Sequence, residues 1–505
     1  MKIAKQTLHT LQEDFEALYD PQIGERRIKE RLNGKEKKLQ TYLESILDLS
    51  REGKLVYPSQ GLTKTPYDEL GSYNTKLLPQ TKLLDTLRLR LFFLEMFNHP
   101  YRMTFLDSIS RGRFSPPPRI ESKMFNMAYA QGLSLSIGDI GASVSGASRP
   151  RISRKERYAA GPFVKLGKQG RTFFCGSASP DVWNSSLAIA TMAASHCLCG
   201  VPRNGVLADM KRQADLAREV FSTLDSLAEI ILGKRLDKEK VLGYWKRNVI
   251  GVIEASPIKG LKRAEELYKV GIRCFRVYSP EPGTATVQMS KQIRKVFKKE
   301  VEIFAGQIVS VRQGQLAEEA GADGLYVGIG GGGRCITGVR SGSVIDWPEL
   351  VWQMRGEINI PIVVEGGASD HVAVTLLLGA SGIGVSRIVA GGTIESPGGA
   401  LYCVDSTGKF FKPYGGEASA RTKYLDGKLL PFGIPSFVEG ETTKAQMSYI
   451  KGALPTLTYN LHSLIEDSIL ALVFRGAKDI TELQAINPSP LRQITGFGQF
   501  QQKTH

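Results

Sequence analysis

The stretch Gly328–Thr337, GIGGGGRCIT, sets five glycines ahead of a single thiol, Cys335, with Arg334 directly before it. Glycine inside an element costs about 0.5–1 kcal/mol relative to alanine. A run this dense implies a purpose: the backbone approaches a ligand closely, or the loop swings. A cysteine thiolate is a nucleophile, and a neighbouring guanidinium favours it over the thiol, so the chemistry on offer is covalent attack by sulfur. Free cysteine is also a common buried small hydrophobe, and taken alone the thiol fits a strand end packed in a core. Further along, Glu365 opens the loop EGG. A carboxylate there can accept two hydroxyl hydrogen bonds, and Gly366 and Gly367 leave backbone N–H groups for phosphate. The bland alternative is an ordinary strand-to-helix turn.

These residues lie in a stretch with a regular beat. From about residue 160, short apolar runs bounded by glycine alternate with amphipathic segments. NVIGVIEAS is followed by LKRAEELYKVG, CFRVYS by QMSKQIRKVFKKE, and VEIFAGQIVS by RQGQLAEEAGA. GLYVGIG, PIVVEGG and GIGVSRIVAGG continue the series, with helices expected at WPELVWQMRG and HVAVTLLLGAS. Strands recurring every 25–30 residues with helices between them indicate serial βαβ units and a parallel sheet. At least five such units, each ending its strand in a glycine-rich or polar loop, favour a (β/α)8 TIM barrel, whose chemistry sits on the loops after the strands. An open doubly wound sheet is the alternative. The first strand, however, is not followed by GxGxxG and an acidic residue about 20 positions on.

Upstream the texture is different. LQTYLESILDLS and LLDTLRLRLFFLEMF read as helices, separated by a loop rich in proline and glycine. Three consecutive prolines in RGRFSPPPRI exclude a helix there. SIGDIGASVSGASRPRISRKERYAAGP fits a flexible connection. The expected organisation is a helical region over 1–110, a linker over 111–159, the barrel over 160–485 and a tail over 486–505.

Composition narrows the class. Across 505 residues, 42% hydrophobic and 8% aromatic content are those of a globular protein, and no apolar run reaches membrane-spanning length. MKIAKQTLHTLQEDFEALYD has no apolar core or cleavage site of a secretory leader. Six cysteines are too sparse for a disulfide framework. A reducing cytoplasm is the expectation. The net charge of +16 lies largely in segments such as GERRIKERLNGKEKK that read as solvated faces, so nucleic acid is a minor alternative.

The block Gly321–Gly398 resembles the catalytic half of the IMP dehydrogenase and GMP reductase family. AGADGLYVGIGGGGRCIT, NIPIVVEGGASDHVAVTLLLGAS, GIGVSRIVAGGTIESPGG and FFKPYGGEAS follow in the family's order, and CGSASPDVWNSSLAIATMAA matches an early segment. The resemblance implies hydride transfer between C2 of a purine nucleoside monophosphate and NAD or NADP. Cys335 falls at the nucleophile position, and Thr337 where a hydroxyl helps activate water or ammonia. Glu439 matches the glutamate that pairs with that threonine in the reductase branch. Glu365 falls where an aspartate grips the ribose hydroxyls. Gly366, Gly367, Ser386, Arg387, Tyr414, Gly415 and Gly416 fall around the phosphate and base. Ser279, Glu281, Gly328 and Gly330 fall on the cofactor side. The carbonyls of Gly330, Gly332 and Cys335 fall at a monovalent cation site that takes K+. The family assembles as a homotetramer.

The departures are specific. Gly333 stands in place of a substrate-binding serine, and Ser386–Arg387 in place of glycine-serine. YSPEP, which contains Ser279 and Glu281, lacks the aspartate that meets the cofactor. The flap's arginine–tyrosine pair is not recognisable after Ser419, and the inserted regulatory repeats of many dehydrogenases have no counterpart. Two alternatives stand beside the oxidoreductase. One is a repurposed barrel that binds a nucleotide or a partner. The other is an FMN-binding barrel, to which GSASPDVWNSSLAIA is also similar.

Overall fold

The computed structural model describes residues 5–33, 74–120, 135–137, 151–177, 179–204, 207–281, 283–328, 341–425, 429–435, 443–446 and 456–493. Eight strands form one parallel sheet: β1 Phe174–Gly176, β2 Cys199–Val201, β3 Val249–Glu254, β4 Cys274–Tyr278, β5 Glu302–Gly306, β6 Gly324–Val327, β7 Ile362–Val364 and β8 Gly382–Val385. Sequence neighbours from β2 to β8 are sheet neighbours, and β8 pairs with β1. Closure comes between β1 and β2, where Cys175 bridges Leu198 and Gly176 N donates to Leu198 O at 2.7 Å. This is the (β/α)8 barrel that the serial beat implies.

The strands read as apolar runs because both faces are covered, one by the barrel interior and one by helices. In β3, VIGVIE, five consecutive residues are buried. The covering helices are α1 Ser186–Ala194, α2 Met210–Ile231, α3 Lys259–Lys269, α4 Ala285–Phe297, α5 Val311–Glu319, α6 Trp347–Gln353, α7 Val372–Leu378 and α8 Leu457–Arg475. An additional helix, Lys238–Arg247, precedes β3. α2 shows the local logic. Asp209 caps it by accepting from Arg212 N at 3.0 Å, and Ala217, Val220, Leu224, Leu227 and Ile231 recur on one buried face.

The N-terminal region is built into the barrel. Helix Gln80–Phe97 lies against α1 and α8, and inside that contact Arg90 faces Glu395 at 3.4 Å, both fully buried. Arg90 also donates to Thr191 Oγ1 of α1 at 2.6 Å. Just beyond this helix, Asn98 donates to Ala194 O at 2.9 Å, and its own carbonyl oxygen meets Trp245 Nε1 at 2.9 Å and His196 Nε2 at 2.7 Å.

Part of the region expected to be helical is strand: Asn74–Leu77 pairs antiparallel with Leu401–Val404. Part of the expected linker is also ordered. Leu135–Ile137 pairs with Leu491–Gln493 of the expected tail, and Arg154–Ala160 is a helix. In each case the missing information is the distant partner. The proposed helix at 39–50 lies outside the described residues.

The closed, N-terminal end of the barrel carries a buried ion pair, Arg171 with Glu302. Asn248 Oδ1 receives Arg171 Nε at 2.9 Å and Gln169 Nε2 at 3.0 Å. Burial opposes the charge of Glu302, yet the Arg171 guanidinium holds its carboxyl below the usual carboxylate range. Groups at this end of a barrel serve stability, and groups at the opposite end serve chemistry.

Candidate active site

Beyond β8 the chain turns at Ser386 and later returns as strand Phe410–Tyr414, in a four-stranded antiparallel sheet with Asn74–Leu77, Leu401–Val404 and Thr443–Gln446. That return brings Tyr414 OH to 3.3 Å from Ser386 Oγ. Ser179, just after β1, donates to Gly415 O at 3.2 Å, although the two are 236 positions apart. Burial raises the Tyr414 phenol, Asp181 raises it further, and the Ser386 and Ser179 hydroxyls and the Arg387 charge oppose the rise. Serines, an arginine, a tyrosine and the backbone at Gly415–Gly416 thus share one corner of the mouth. The carbonyl of Gly416 is taken by Ser419 Oγ at 2.9 Å and Thr422 Oγ1 at 2.8 Å, while the space beside its Cα is open.

The strand carrying Tyr414 is anchored from below. Lys412 is fully buried and donates to Thr393 O at 2.6 Å, Gly399 O at 2.9 Å and Ser396 O at 3.1 Å. Burial brings its ammonium down to about 7, with Glu395 opposing the shift. Three carbonyl acceptors match the three donors of the charged form.

On the adjacent strand end stands Glu365. Its carboxylate is held from across the barrel by Arg276, with Nη1 to Oε1 at 2.9 Å and Nη2 to Oε2 at 2.6 Å. Gln307 Nε2 lies 3.4 Å from Oε2. Arg276 stacks over Tyr326, 4.1 Å from the ring centroid. Two glycines make this packing feasible. A Cβ on Gly328, at φ 127°, would sit 2.1 Å from Glu365 O, and one on Gly384 would sit 2.6 Å from Glu365 Cγ. The first glycine of the dense run is therefore required by the close approach of β6 and β7. Gly366 and Gly367 lead into the 3-10 turn Ala368–His371, with Trp347 Nε1 bonded to Gly366 O at 3.1 Å.

On the far side, Ser279 follows β4. Its N–H donates to Gly306 O at 3.0 Å, and its hydroxyl accepts from the N–H of exposed Glu281 at 3.2 Å. Arg203 and Asn204, after β2, reach Glu417 beyond Gly416, which ties two rim loops together over Tyr278. Of the candidate residues, Glu365, Gly366, Gly367, Ser386, Arg387, Tyr414, Gly415, Gly416, Ser279, Glu281 and Gly328 are described, at the C-terminal ends of strands or on loops that return to them. Gly330, Gly332, Gly333, Cys335, Thr337 and Glu439 lie outside the described residues. Among the described residues no three His, Cys, Asp or Glu side chains gather as a metal site requires, and no helix is long and apolar enough to cross a membrane.

Sequence reasoning missed Arg276, Gln307, Tyr326, Arg203 and Glu417. Arg276 had left a signal: it is the one charged residue inside the apolar strand CFRVY.

The architecture and the mouth define a (β/α)8 barrel whose polar groups sit on the strand-end loops, as in barrel enzymes. A family model, "IMP dehydrogenase / GMP reductase domain", matches residues 176–505, and the chain belongs to that family. It is 30% identical over 239 residues to inosine-5'-monophosphate dehydrogenase 1 of Arabidopsis thaliana, covering 44% of each chain. It is 27% identical over 247 residues to the inosine-5'-monophosphate dehydrogenase of Aquifex aeolicus (strain VF5), covering 46% of this chain and 48% of that one. The enzyme of Helicobacter pylori (strain ATCC 700392 / 26695) is 29% identical over 234 residues, 44% of this chain and 46% of its own. The chain thus spans less than half the length of these relatives. The family match leaves the FMN-barrel alternative without support.

Proposed function

We propose that the chain is a purine-nucleotide oxidoreductase, moving hydride between C2 of a purine nucleoside monophosphate and NAD or NADP through a covalent adduct on Cys335. The observation that carries this reading is the corner where Ser386 and Arg387 meet Tyr414 and Gly415, with Ser179 closing it from β1. Segments far apart in sequence converge there as a phosphate pocket requires. Arg387 supplies charge, Ser386 and Tyr414 supply hydroxyls, and the amides of Gly415 and Gly416 complete the donor set. Glu365, on the neighbouring strand end, takes the ribose hydroxyls.

With phosphate and ribose held, the Cys335 thiolate adds to C2, and Arg334 favours the anion. The S–C2 bond forms with the sulfur electron pair, and hydride leaves C2 with the pair of the broken C–H bond. NAD or NADP supplies the hydride acceptor or donor. Half-buried Tyr278 is already covered by Arg203 and Arg276, while exposed Glu281 with Ser279 offers a carboxylate and a hydroxyl, which fit a dinucleotide's ribose. Water or ammonia then attacks C2 while Thr337 and Glu439 move its proton, and the S–C2 bond breaks with its pair returning to the Cys335 sulfur. The carbonyls of Gly330, Gly332 and Cys335 would hold K+. The working form is a cytoplasmic homotetramer.

Thermal unfolding of the purified protein with IMP, GMP and XMP tests the reading, followed by turnover monitored through NADH or NADPH absorbance. Stabilisation by at least one monophosphate and turnover that requires Cys335 are expected. Binding without turnover would favour the repurposed barrel. Stabilisation by none of the three would sink the nucleotide reading.

A further inference from the structure

β4 and β7 are separated in the sheet by β5 and β6, so the bond between Arg276 and Glu365 crosses the barrel interior. It forms a floor beneath the mouth. Tyr326 lies under the guanidinium and Gln307 lies beside the carboxylate. Among the described residues, Arg276 Nε, Gln307 Oε1 and Tyr326 OH are buried without a protein partner. A floor of this kind is a poor way to gain stability, since packed apolar side chains do as well as a buried ion pair or better.

Exposure shows which group the floor presents. The Arg276 side chain is 3% exposed and that of Glu365 is 12% exposed, so the carboxylate faces the opening and the guanidinium supports it from behind. An ionised carboxylate has about four lone-pair sites. The bidentate fork of Arg276 occupies one on each oxygen and leaves one on Oε1 outward; the second on Oε2 meets Gln307 Nε2 only at 3.4 Å, longer than an ordinary N–H···O bond, so a hydroxyl can take it. Two adjacent acceptors match two adjacent hydroxyls.

We propose that Arg276 is a positioning residue that makes the mouth selective for a sugar with free vicinal hydroxyls, by holding the Glu365 carboxylate in one plane with an acceptor on each oxygen left for a hydroxyl. The inference rests on Glu365 as the ribose acceptor in the reading above. Lysine at 276 keeps the charge but presents a point donor with no fork, so the carboxylate loses its fixed plane.

The test is calorimetric binding of IMP and GMP, each beside its 2′,3′-dideoxy counterpart, to the wild-type chain, Arg276→Lys and Arg276→Gln. The glutamine variant keeps Glu365 and offers it a neutral donor without the fork, and carries the test if the lysine variant does not fold. The wild type is expected to prefer the ribonucleotide. Both variants are expected to lose that preference by about tenfold or more, in line with the loss of hydrogen bonds to a charged group. Dideoxynucleotide binding is expected to be unchanged, an asymmetry that a merely structural role would not produce. Equal weakening of both nucleotides, an intact preference in the variants, or tighter ribonucleotide binding would overturn the role of Arg276. A wild type that binds both nucleotides equally would overturn the role of Glu365 as well. A wild type that binds no nucleotide sinks the functional reading itself, and this inference with it.

Discussion

Gly384 touches no candidate ligand, yet replacing it with alanine tests how the mouth is built. A Cβ at this position of β8 would stand 2.6 Å from Glu365 Cγ and 3.3 Å from both Glu365 Cβ and Val364 O. The first distance is closer than real Cβ contacts allow, and the obstructing atom is not a free side-chain end. Arg276 fixes the far end of Glu365 through two bonds of 2.9 and 2.6 Å, and β7 fixes the near end. The alanine must therefore displace Glu365 from its guanidinium or part β7 from β8. Overpacking of this kind costs about 1–3 kcal/mol. The assay is equilibrium urea unfolding, read as a lower midpoint at unchanged slope, together with nucleotide affinity, which should fall as Glu365 shifts. The control is the same alanine in an Arg276→Met/Glu365→Ala background, where both the charges and the Cγ are gone. There it should cost less than about 1 kcal/mol, a coupling of the size that contacting residues show. If the cost is the same in both backgrounds, the Glu365 side chain does not pass over Gly384, and the crossing described above is wrong.

Cys335, if it is the nucleophile, should alkylate faster than Cys175, Cys197, Cys199, Cys274 and Cys403, all buried, and a bound purine monophosphate should protect it; Cys335→Ser should abolish hydride transfer while leaving nucleotide binding largely intact. His196 is fully buried, and burial, with Arg102 and Arg235 adding to the effect, lowers its imidazole to about 3. The unfolded chain takes up that proton near the ordinary value of 6.5 while the folded chain does not, so stability should fall as pH drops through 6.5 towards 3, by about 1.4 kcal/mol per pH unit once the unfolded group is protonated. Replacing His196 with glutamine should flatten that part of the urea-midpoint profile, and an unchanged slope would count against a neutral buried ring. Arg90→Met leaves Glu395 without its 3.4 Å partner in a fully buried contact, and should destabilise by about 3–5 kcal/mol. Adding Glu395→Gln should recover part of the loss, and limited proteolysis should then show whether helix Gln80–Phe97 is again protected.

The serial strands from Val249 to Val385 were legible because each is a local apolar run with glycine or a polar loop at its end, and such runs need no distant partner to be recognised. The strand reading passed over β1 and β2, which have three residues each. Segments that short carry no periodicity, and only the demand of a closed sheet marks them as strands. The corner at the mouth was readable as separate pieces, Ser386–Arg387 and Tyr414–Gly416, because their residue types and order carry the resemblance. Their meeting at 3.3 Å depends on an antiparallel sheet joining residues 74–77, 401–404 and 410–414. No local propensity encodes a pairing over hundreds of positions.

The sequence by itself determined the barrel, the family and most of the polar groups offered at the mouth, since these follow from pattern and residue type along one strand at a time. Only the tertiary structure decided that Arg276 answers Glu365 across the interior, that Lys412 anchors the strand of Tyr414, and that helix Gln80–Phe97 is keyed to the barrel by Arg90 and Asn98. A buried charge must find its partner wherever closure of the sheet and packing of the helices put one. The identity of that partner is a property of the assembled fold, because an isolated strand or helix contains only one half of each pair.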